Sequence, residues 1–168
     1  MMKLPPEQQK KQVNYALSIT GMGKYRDENP YNLPLSIRKF VTIAAIVAMD
    51  CDVMVFDEPT AGQDYIGNKR LAWIFDELHK KGKTLVTISH DMVFVADNFE
   101  RVIVMCNKKK LADGTPREVF WNQPVLDDAM LKQPYVGHLC KTLGVSNSAI
   151  SMEEAVETIV AACGKAGE

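Results

Sequence analysis

Two adjacent carboxylates, Asp57 and Glu58, follow the short apolar run Val53 to Phe56. A continuous run of this kind is typical of a strand that is covered on both faces, as in a parallel sheet. Ligand sites of open α/β sheets lie at the carboxyl ends of the strands, where both acids fall. Successive side chains of a strand point to opposite faces, so the two acids can have different tasks. Asp57 suits the binding of hydrated Mg²⁺, and Glu58 suits polarisation of a water that attacks a γ-phosphate in line.

A histidine after the next strand is the second part of this candidate site. That strand is predicted over Thr84 to Ile88, and Ser89 and His90 follow it. Because the carboxyl ends of parallel strands meet at one edge of a sheet, we expect His90 beside the two acids, where it can sense a γ-phosphate. Taken alone, the acids could equally be a charged strand end before a turn, and the histidine a structural one. Their positions after successive strands favour a shared site.

The elements that position these residues alternate between helix and strand. Helices are predicted over Pro6 to Gly21, Ile37 to Met49, Asp64 to Lys81 and Met92 to Ala96. Ser36 is the predicted N-cap of the second helix. A third strand is predicted over Arg101 to Cys106. The helix after Ser36 is apolar nearly all round and is therefore expected to be buried. Helices between strands at these lengths predict an α/β fold with right-handed crossovers.

After Asn107 the predicted elements change from alternating helices and parallel strands to a hairpin and short helices. A turn through Lys108 to Lys110 and a short strand at Leu111–Ala112 predict an antiparallel edge hairpin, and the lysines are interpreted as a solvated turn. Pro116 is expected to begin a helix.

Two or three further helices are predicted from Pro124 onward, joined by a loop from Gly144 to Ser151. Ser151 and Glu154 have the spacing of a capping box, so a helix should begin at Ser151.

Composition limits the classes of function. Hydrophobic residues make up 46% of the 168 residues and charged residues 24%, which predicts a packed core. The formal net charge of −1 gives no overall attraction to nucleic acid. No run approaches the roughly 20 apolar residues that cross a bilayer, and the first residues have no apolar signal core. The scattered cysteines and histidines form no zinc pattern, and we expect the cysteines to be free, buried thiols in a reducing cytosol. The cysteines are Cys51, Cys106, Cys140 and Cys163.

The order of these motifs resembles that of the ATP-binding subunits of ABC transporters. The apolar strand runs into DEPTAGQD, Asp57 to Asp64, and a helix and then TLVTISHD, Thr84 to Asp91, follow. The resemblance extends from about Pro6 to Phe120. It implies an α/β fold, namely part of the P-loop NTPase sheet of an ABC ATPase with flanking helices, plus a C-terminal helical tail.

The resemblance also implies roles for single residues. By position, Asp57 corresponds to the Walker B aspartate that holds Mg²⁺, and Glu58 to the catalytic glutamate. His90 corresponds to the switch histidine, and Ala61 to Asp64 form the D-loop, which places Asp64 at the nucleotide. The cofactors implied are ATP and Mg²⁺.

One branch of the family is resembled in detail, the energy-coupling-factor and cobalt/nickel importer ATPases. The similarity lies in DEPTAGQD, in Ala48 to Asp50, and in DGTPREVF, Asp113 to Phe120, before a helical tail. It implies three regions. Residues 1–50 would end a helical subdomain with a degenerate signature region, 51–121 would form the α/β core and edge hairpin, and 122–168 would form a helical dimerisation tail.

A phosphate-binding loop of the form G-x-x-x-x-G-K-[ST] is missing from the sequence. Gly82-Lys83-Thr84 has its last three residues, but Glu77 occupies the position of the first glycine, and the triplet lies between a helix and a strand rather than the reverse. Gly23-Lys24 fails likewise, because Tyr25 follows it. The isolated chain is therefore expected to have little or no ATPase activity.

The family's LSGGQ signature is also absent, and Leu33 to Ile37 stand in its place. Ser36 and a helix start remain, but the glycines that allow close backbone approach do not. Ser36 can keep a residual phosphate contact, or the segment can be an ordinary buried helix. The resemblance implies a weakened half-site.

The resemblance implies an ABC importer subunit, or a fragment of one, that couples ATP hydrolysis to transport of a small solute such as a metal ion or vitamin. Its partners would be a second ABC ATPase subunit, in a homo- or heterodimer, and transmembrane subunits, on the inner face of the cell membrane and without nucleic acid. The alternative is a non-catalytic dimerisation module derived from such an ATPase. A third possibility, an ATPase of DNA repair or translation, leaves DGTPREVF and the tail unexplained.

Overall fold

The computed structural model describes residues 4–145 and 149–165, with side chains described as far as residue 162. The chain forms two compact units, one up to His90 and one from Asp91. This division is distinct from the predicted regions 1–50, 51–121 and 122–168, whose boundaries stay predictions. Within residues 4–145 and 149–165, none of the helices combines the length and the apolar composition that a membrane span requires.

The first unit contains the predicted alternation of helices and strands. Its elements are α1 (Pro6–Ile19), α2 (Leu35–Ala48), β1 (Val53–Asp57), α3 (Tyr65–Lys80) and β2 (Thr84–Ile88). The two strands pair in parallel, with Val53 opposite Thr84 and Asp57 opposite Ile88. The first and last residue of each helix and strand lie within a few residues of their predicted positions, because apolar periodicity and flanking glycines define these elements locally.

The core of the first unit lies on one face of the β1–β2 sheet. Met54 and Phe56 of β1 are 2% and 3% exposed, and the ring of Phe56 lies 4.8 Å from that of Phe75 on α3. The apolar positions predicted for α3 are all buried, and so is one stripe of α2, while α1 packs against α2. The α3 positions are Leu71, Ile74, Phe75 and Leu78, and those of α2 are Phe40, Ile43, Ala44 and Val47.

Coverage of both sheet faces was predicted, and this is wrong for the described residues. Val53 and Val55 are 58% and 56% exposed, and Val86 and Ile88 of β2 are 45% and 56% exposed on the same face. The expectation that α2 is buried holds for one stripe only, since its other face includes exposed Thr42. A continuous apolar run indicates a surface that can be covered, but burial also requires a second packed layer.

The second unit holds a hairpin and a set of short helices. Its elements are α4 (Met92–Asn98), β3 (Val102–Cys106), β4 (Lys109–Gly114), α5 (Pro116–Phe120), α6 (Gln123–Ala129), α7 (Tyr135–Thr142) and α8 (Met152–Lys165). The predicted antiparallel hairpin is confirmed, with Val102 opposite Gly114. Among the described residues, β3 pairs with β4 alone and does not extend the parallel β1–β2 sheet.

Two apolar clusters stabilise this unit. One joins the hairpin to α4, α5 and α6, and the other joins α7 to α8. Cys51, Cys106 and Cys140 are free, as predicted, but only Cys140 is buried, since the other two are half-buried. The side chain of Cys163 lies outside the described residues.

Helix caps in this unit follow short-range sequence signals. A full capping box joins Thr115 and Glu118 at the start of α5, a T-x-x-E pattern that could have been recognised beside Pro116. The predicted box at Ser151 is half made. Ser151 Oγ accepts from Glu154 N–H at 3.3 Å, but the Glu154 carboxylate accepts from Ile150 N–H at 3.1 Å. Residues 146–148 of the predicted loop lie outside the described residues.

Asp64 is the N-cap of α3, and its Oδ1 accepts from Gly67 N–H at 2.7 Å. Asp64→Ala should lower the free energy of unfolding by about 1 kcal/mol, because one orphan amide of the first turn loses its acceptor. Asp64→Ser keeps an acceptor and should retain most of the stability. Urea unfolding followed by far-UV circular dichroism measures both, and equal losses in the two variants would contradict the cap.

Asp113 of β4 forms an ion pair with Arg101, the residue before β3. It accepts from Arg101 Nε and Nη2 at 2.8 and 3.0 Å, and from Lys110 Nζ at 2.9 Å. The hydrogen bonds from Arg101 and then Lys110 hold the pKa of Asp113 well below its ordinary value. A carboxyl with a depressed folded pKa adds stability above its unfolded pKa, near 4, and loses it as the pH falls through the folded value.

Asp113→Asn should therefore lower the urea midpoint near neutral pH. The difference from the wild type should shrink as the pH falls from about 6 to about 2. Fluorescence of Trp121 in a Trp73→Phe background reports on the second unit alone, since Trp121 lies in that unit. A difference that does not vary with pH would show that the charge of Asp113 does not stabilise the hairpin.

Candidate functional site

The carboxyl ends of β1 and β2 form the candidate site. The strands end at the same level, Asp57 opposite Ile88, and Glu58 N–H donates to the carbonyl of Ile88 at 2.8 Å. Residues that follow the two strands therefore lie side by side. The predicted proximity of Glu58 and His90 is confirmed by a distance of 2.8 Å between them, whereas the catalytic roles of both and the metal-binding role of Asp57 stay predictions.

Asp57 and Glu58 lie in different environments, as predicted, but strand alternation is not the reason, because β1 ends at Asp57. Asp57 is exposed on the open sheet face that also carries Val53 and Val55. Glu58 has left the strand, with a φ of 45° in the left-handed region. A non-glycine residue is uncommon there, so surrounding contacts must hold this backbone.

Glu58 and His90 form a close pair. The distance from His90 Nδ1 to Glu58 Oε2 is 2.8 Å, and the side chains are 81% and 33% exposed respectively. Glu58 Oε2 itself is buried and makes no hydrogen bond among the described residues, and His90 Nδ1 lies 2.8 Å from it. When the imidazole is protonated the contact is an ion pair, so a shielded carboxylate lies against an exposed imidazole.

The loop after Glu58 is held by its own turns. Ala61 N–H donates to the Glu58 carbonyl at 3.2 Å, and Gln63 N–H donates to the Thr60 carbonyl at 3.0 Å. Thr60 is buried, and Gly62 has a φ of 74°, a conformation that favours glycine. These bonds give residues 58–64 a defined conformation between β1 and α3.

The prediction that Ser36 caps α2 is wrong. Pro34 is the N-cap, Arg38 N–H donates to its carbonyl at 2.9 Å, and no side chain caps this helix. Pro34 is itself extended, with a ψ of 149°, so the helix begins at Leu35 and Ser36 lies within the first turn. The Ser36 carbonyl accepts from Gln63 Nε2 at 3.2 Å, which joins the start of α2 to the loop before α3.

Asp64 and Ser36 are the two residues predicted to bind nucleotide, and that role stays a prediction. In the structure Asp64 caps α3, and Ser36 is half-buried. Neither takes part in the Glu58–His90 pair.

Lys39 of α2 is a residue that the sequence predictions omitted. Its ammonium donates to the carbonyls of Glu58 and of Ala61, the latter at 3.0 Å. A signal was available, because Lys39 is a long cation within an otherwise largely apolar helix, and such a side chain must direct its ammonium to polar partners. The partner could not be inferred from sequence, since it lies 19 residues further along the chain.

The donors around Asp57 fit magnesium better than a metal held by protein ligands alone. Among the described side chains, no group of three or more His, Cys, Asp or Glu residues is placed to hold a metal ion. Mg²⁺ keeps several waters and is bound through one or two carboxylates together with substrate phosphates. The single exposed carboxylate of Asp57 meets that requirement.

The Gly82-Lys83-Thr84 triplet is not a phosphate-binding loop. It lies between α3 and β2, and Gly82 has a φ of 78°. Lys83 Nζ lies 3.0 Å from Asp50 Oδ1 and 3.2 Å from Asp52 Oδ1. The hydrogen bond with Asp50, aided by Asp52, raises the pKa of Lys83, so this lysine serves the loop between α2 and β1.

Comparison with known proteins places this geometry in a family, although no family model matches the chain. The chain is 39% identical over 140 residues to the energy-coupling factor transporter ATP-binding protein EcfA of Methanocaldococcus jannaschii, covering 83% of this chain and 50% of that protein. It is 39% identical over 162 residues to EcfA1 of Caldanaerobacter subterraneus subsp. tengcongensis, covering 93% and 58%.

Solved structures agree in fold. The structure of cbiO1 from Clostridium perfringens, part of the ABC transporter complex cbiONQ, is 33% identical, with a TM-score of 0.65 and coverage of 83% of this chain and 56% of that one. An ATP-binding cassette of an ABC transporter in its ADP conformation has a TM-score of 0.67 at 21% identity, covering 77% and 52%, and shows likeness of fold alone. The chain spans about half the length of the curated relatives it matches. It belongs to the ATP-binding subunits of ABC transporters of the energy-coupling-factor type, and corresponds to their C-terminal portion without the phosphate-binding loop.

Proposed function

We propose that this chain is the part of an ATP-hydrolysing importer subunit that activates water and senses the γ-phosphate. The observation that carries the proposal is the 2.8 Å contact between Glu58 and His90 beside Asp57, at the carboxyl ends of two parallel strands. That arrangement supplies a shielded carboxylate as base, an exposed imidazole and an exposed carboxylate for a cation.

Each residue has a task in this proposal. Glu58 orients a water for in-line attack and accepts its proton, aided by the partial shielding of its carboxylate. A protonated imidazole has two donors, so His90 can face the Glu58 carboxylate with Nδ1 and donate from Nε2 to a γ-phosphate oxygen. Asp57 would hold Mg²⁺, which supplies positive charge opposite the phosphates when bound.

A further part of the subunit must complete the nucleotide site. The chain has no loop with the amides and lysine that hold β- and γ-phosphates. We infer that this loop lies in the portion of the family's length that the chain does not span, and that this portion covers the open face of Val53, Val55, Val86 and Ile88. Parallel sheets are ordinarily covered on both faces, which supports that inference.

The tail offers a surface for a second subunit. Met152, Val156 and Val160 follow one another at four-residue spacing along α8 and are 54%, 53% and 64% exposed. Residues four apart lie on one helix face, so the three form an apolar stripe that would be stabilised by contact with another chain. We infer that this stripe pairs two ATPase subunits.

The remaining partners follow from the proposed transport. Transmembrane subunits would contact the helical region before residue 50, and the complex would lie on the inner face of the cell membrane. The solute would be small, such as a metal ion or a vitamin, and the membrane subunits would select it.

A non-catalytic pairing module is the alternative, favoured by the missing phosphate loop together with the apolar stripe on α8. The two functions differ in whether Glu58 matters once the nucleotide site is complete, and the hydrolysis experiment below separates them.

Hydrolysis can be tested in a chimera in which this chain follows the portion of the Methanocaldococcus jannaschii relative that precedes the aligned region. The chimera should hydrolyse Mg-ATP, and Glu58→Gln should lower kcat at least about 100-fold because the base is lost. His90→Ala should lower it by at least about tenfold. Glu77→Gln on α3 is a matched control that should leave kcat unchanged. A folded chimera that binds ATP but does not hydrolyse it would favour the pairing module.

Pairing can be tested on the 168-residue chain by sedimentation equilibrium. Val156→Asp with Val160→Asp should weaken self-association at least about tenfold, because two charges would be buried in an apolar contact. Glu157→Ala, on the same helix and also exposed, is the control. A chain that stays monomeric at all concentrations would contradict pairing with a second copy through this stripe.

A further inference from the structure

The left-handed backbone at Glu58 requires an explanation. A non-glycine residue in this region is strained, and it persists only where several contacts over-determine it. The Cα–Cβ direction of Glu58, and hence the approach of its carboxylate to His90, depends on this backbone. Contacts that hold the backbone therefore help to set the geometry of the pair.

Three groups hold the peptides on either side of Glu58. Its N–H donates to the Ile88 carbonyl at 2.8 Å, and its carbonyl accepts from Ala61 N–H at 3.2 Å. The third group is the Lys39 ammonium, which donates to the same Glu58 carbonyl and to the Ala61 carbonyl at 3.0 Å. The first two contacts belong to the strands and their turn, whereas Lys39 reaches the loop from α2.

The Lys39 contact combines strength with direction. An ammonium donates to carbonyls more strongly than a neutral group does, and partial burial of the bond to Glu58 reduces competition from water, whereas the bond to Ala61 is exposed. By bridging residues 58 and 61, the ammonium brings both carbonyls of the turn to one point. Gln63 Nε2 adds a second link from the loop to α2 through the Ser36 carbonyl at 3.2 Å.

We propose that Lys39 is a positioning residue for Glu58. Its ammonium holds the turn from Glu58 to Ala61 in the conformation that presents the carboxylate to His90. The catalytic part of this inference rests on the proposed function, whereas the effect on the turn does not.

The effect on the turn can be measured in the 168-residue chain by NMR. Lys39→Met keeps the aliphatic stem but removes the donors, and Lys39→Arg keeps donors. In Lys39→Met the amide of Ala61 should exchange about tenfold faster, and the imidazole ¹⁵N resonances of His90 should move. Lys39→Arg should retain most of the wild-type behaviour. Lys83→Met, which removes an ammonium paired with Asp50 and Asp52, should change neither signal.

Far-UV circular dichroism provides a check on folding, because the spectrum should match that of the wild type in all variants. If Lys39→Met left the Ala61 exchange rate and the His90 resonances as in the wild type, the stem alone would be responsible and the proposal would be overturned. The proposal would also be overturned if Lys39→Arg behaved like Lys39→Met in every readout.

The catalytic consequence is measured in the chimera. Lys39→Met should lower kcat about tenfold with KM for ATP within about twofold, because the carboxylate is misplaced while nucleotide contacts remain. An unchanged kcat would overturn the catalytic part. If the chimera without any Lys39 substitution did not hydrolyse ATP, the proposed function would fail, yet the NMR result would still decide whether Lys39 holds the turn.

Discussion

The parallel register of β1 and β2 is the constraint on which the candidate site depends. Asp57 lies opposite Ile88, so both strands end together and the Glu58 N–H continues the ladder by one bond to the Ile88 carbonyl. A slip of one residue would turn Met54 and Phe56 away from α3 and separate Glu58 from His90. Core packing and site geometry thus depend on the same strand pairing. Packing of the buried sheet face therefore also stabilises the arrangement of the exposed site residues.

The site is further joined to a helix that contributes no reacting group. Lys39 and the Ser36 carbonyl tie α2 to the loop between β1 and α3. Within the family this helix follows the signature region, here reduced to Leu33 to Ile37 without glycines. The glycine-free segment still ends in a helix start, because Pro34 directs the chain into α2 without a side-chain cap.

The second unit obtains its stability differently. Short helices and a hairpin bury small apolar clusters, and side-chain caps and ion pairs satisfy their ends. Thr115, Pro116 and Glu118 together begin α5, where the chain leaves the hairpin. On α8 the apolar stripe of Met152, Val156 and Val160 is exposed to solvent, whereas packing within one chain would favour its burial.

Local pattern in the sequence was sufficient to predict the elements, the α/β class, the hairpin and the placement of Asp57, Glu58 and His90 after successive strands. Those features follow from periodicity, turn residues and the geometry of parallel strands, which act over a few residues. Only the tertiary structure decided that one sheet face stays open, that β3 joins a separate hairpin and that Pro34 rather than Ser36 begins α2. It alone brought Lys39 to Glu58, because such a contact depends on how a helix packs against a distant turn, and no local pattern of residues encodes that distance.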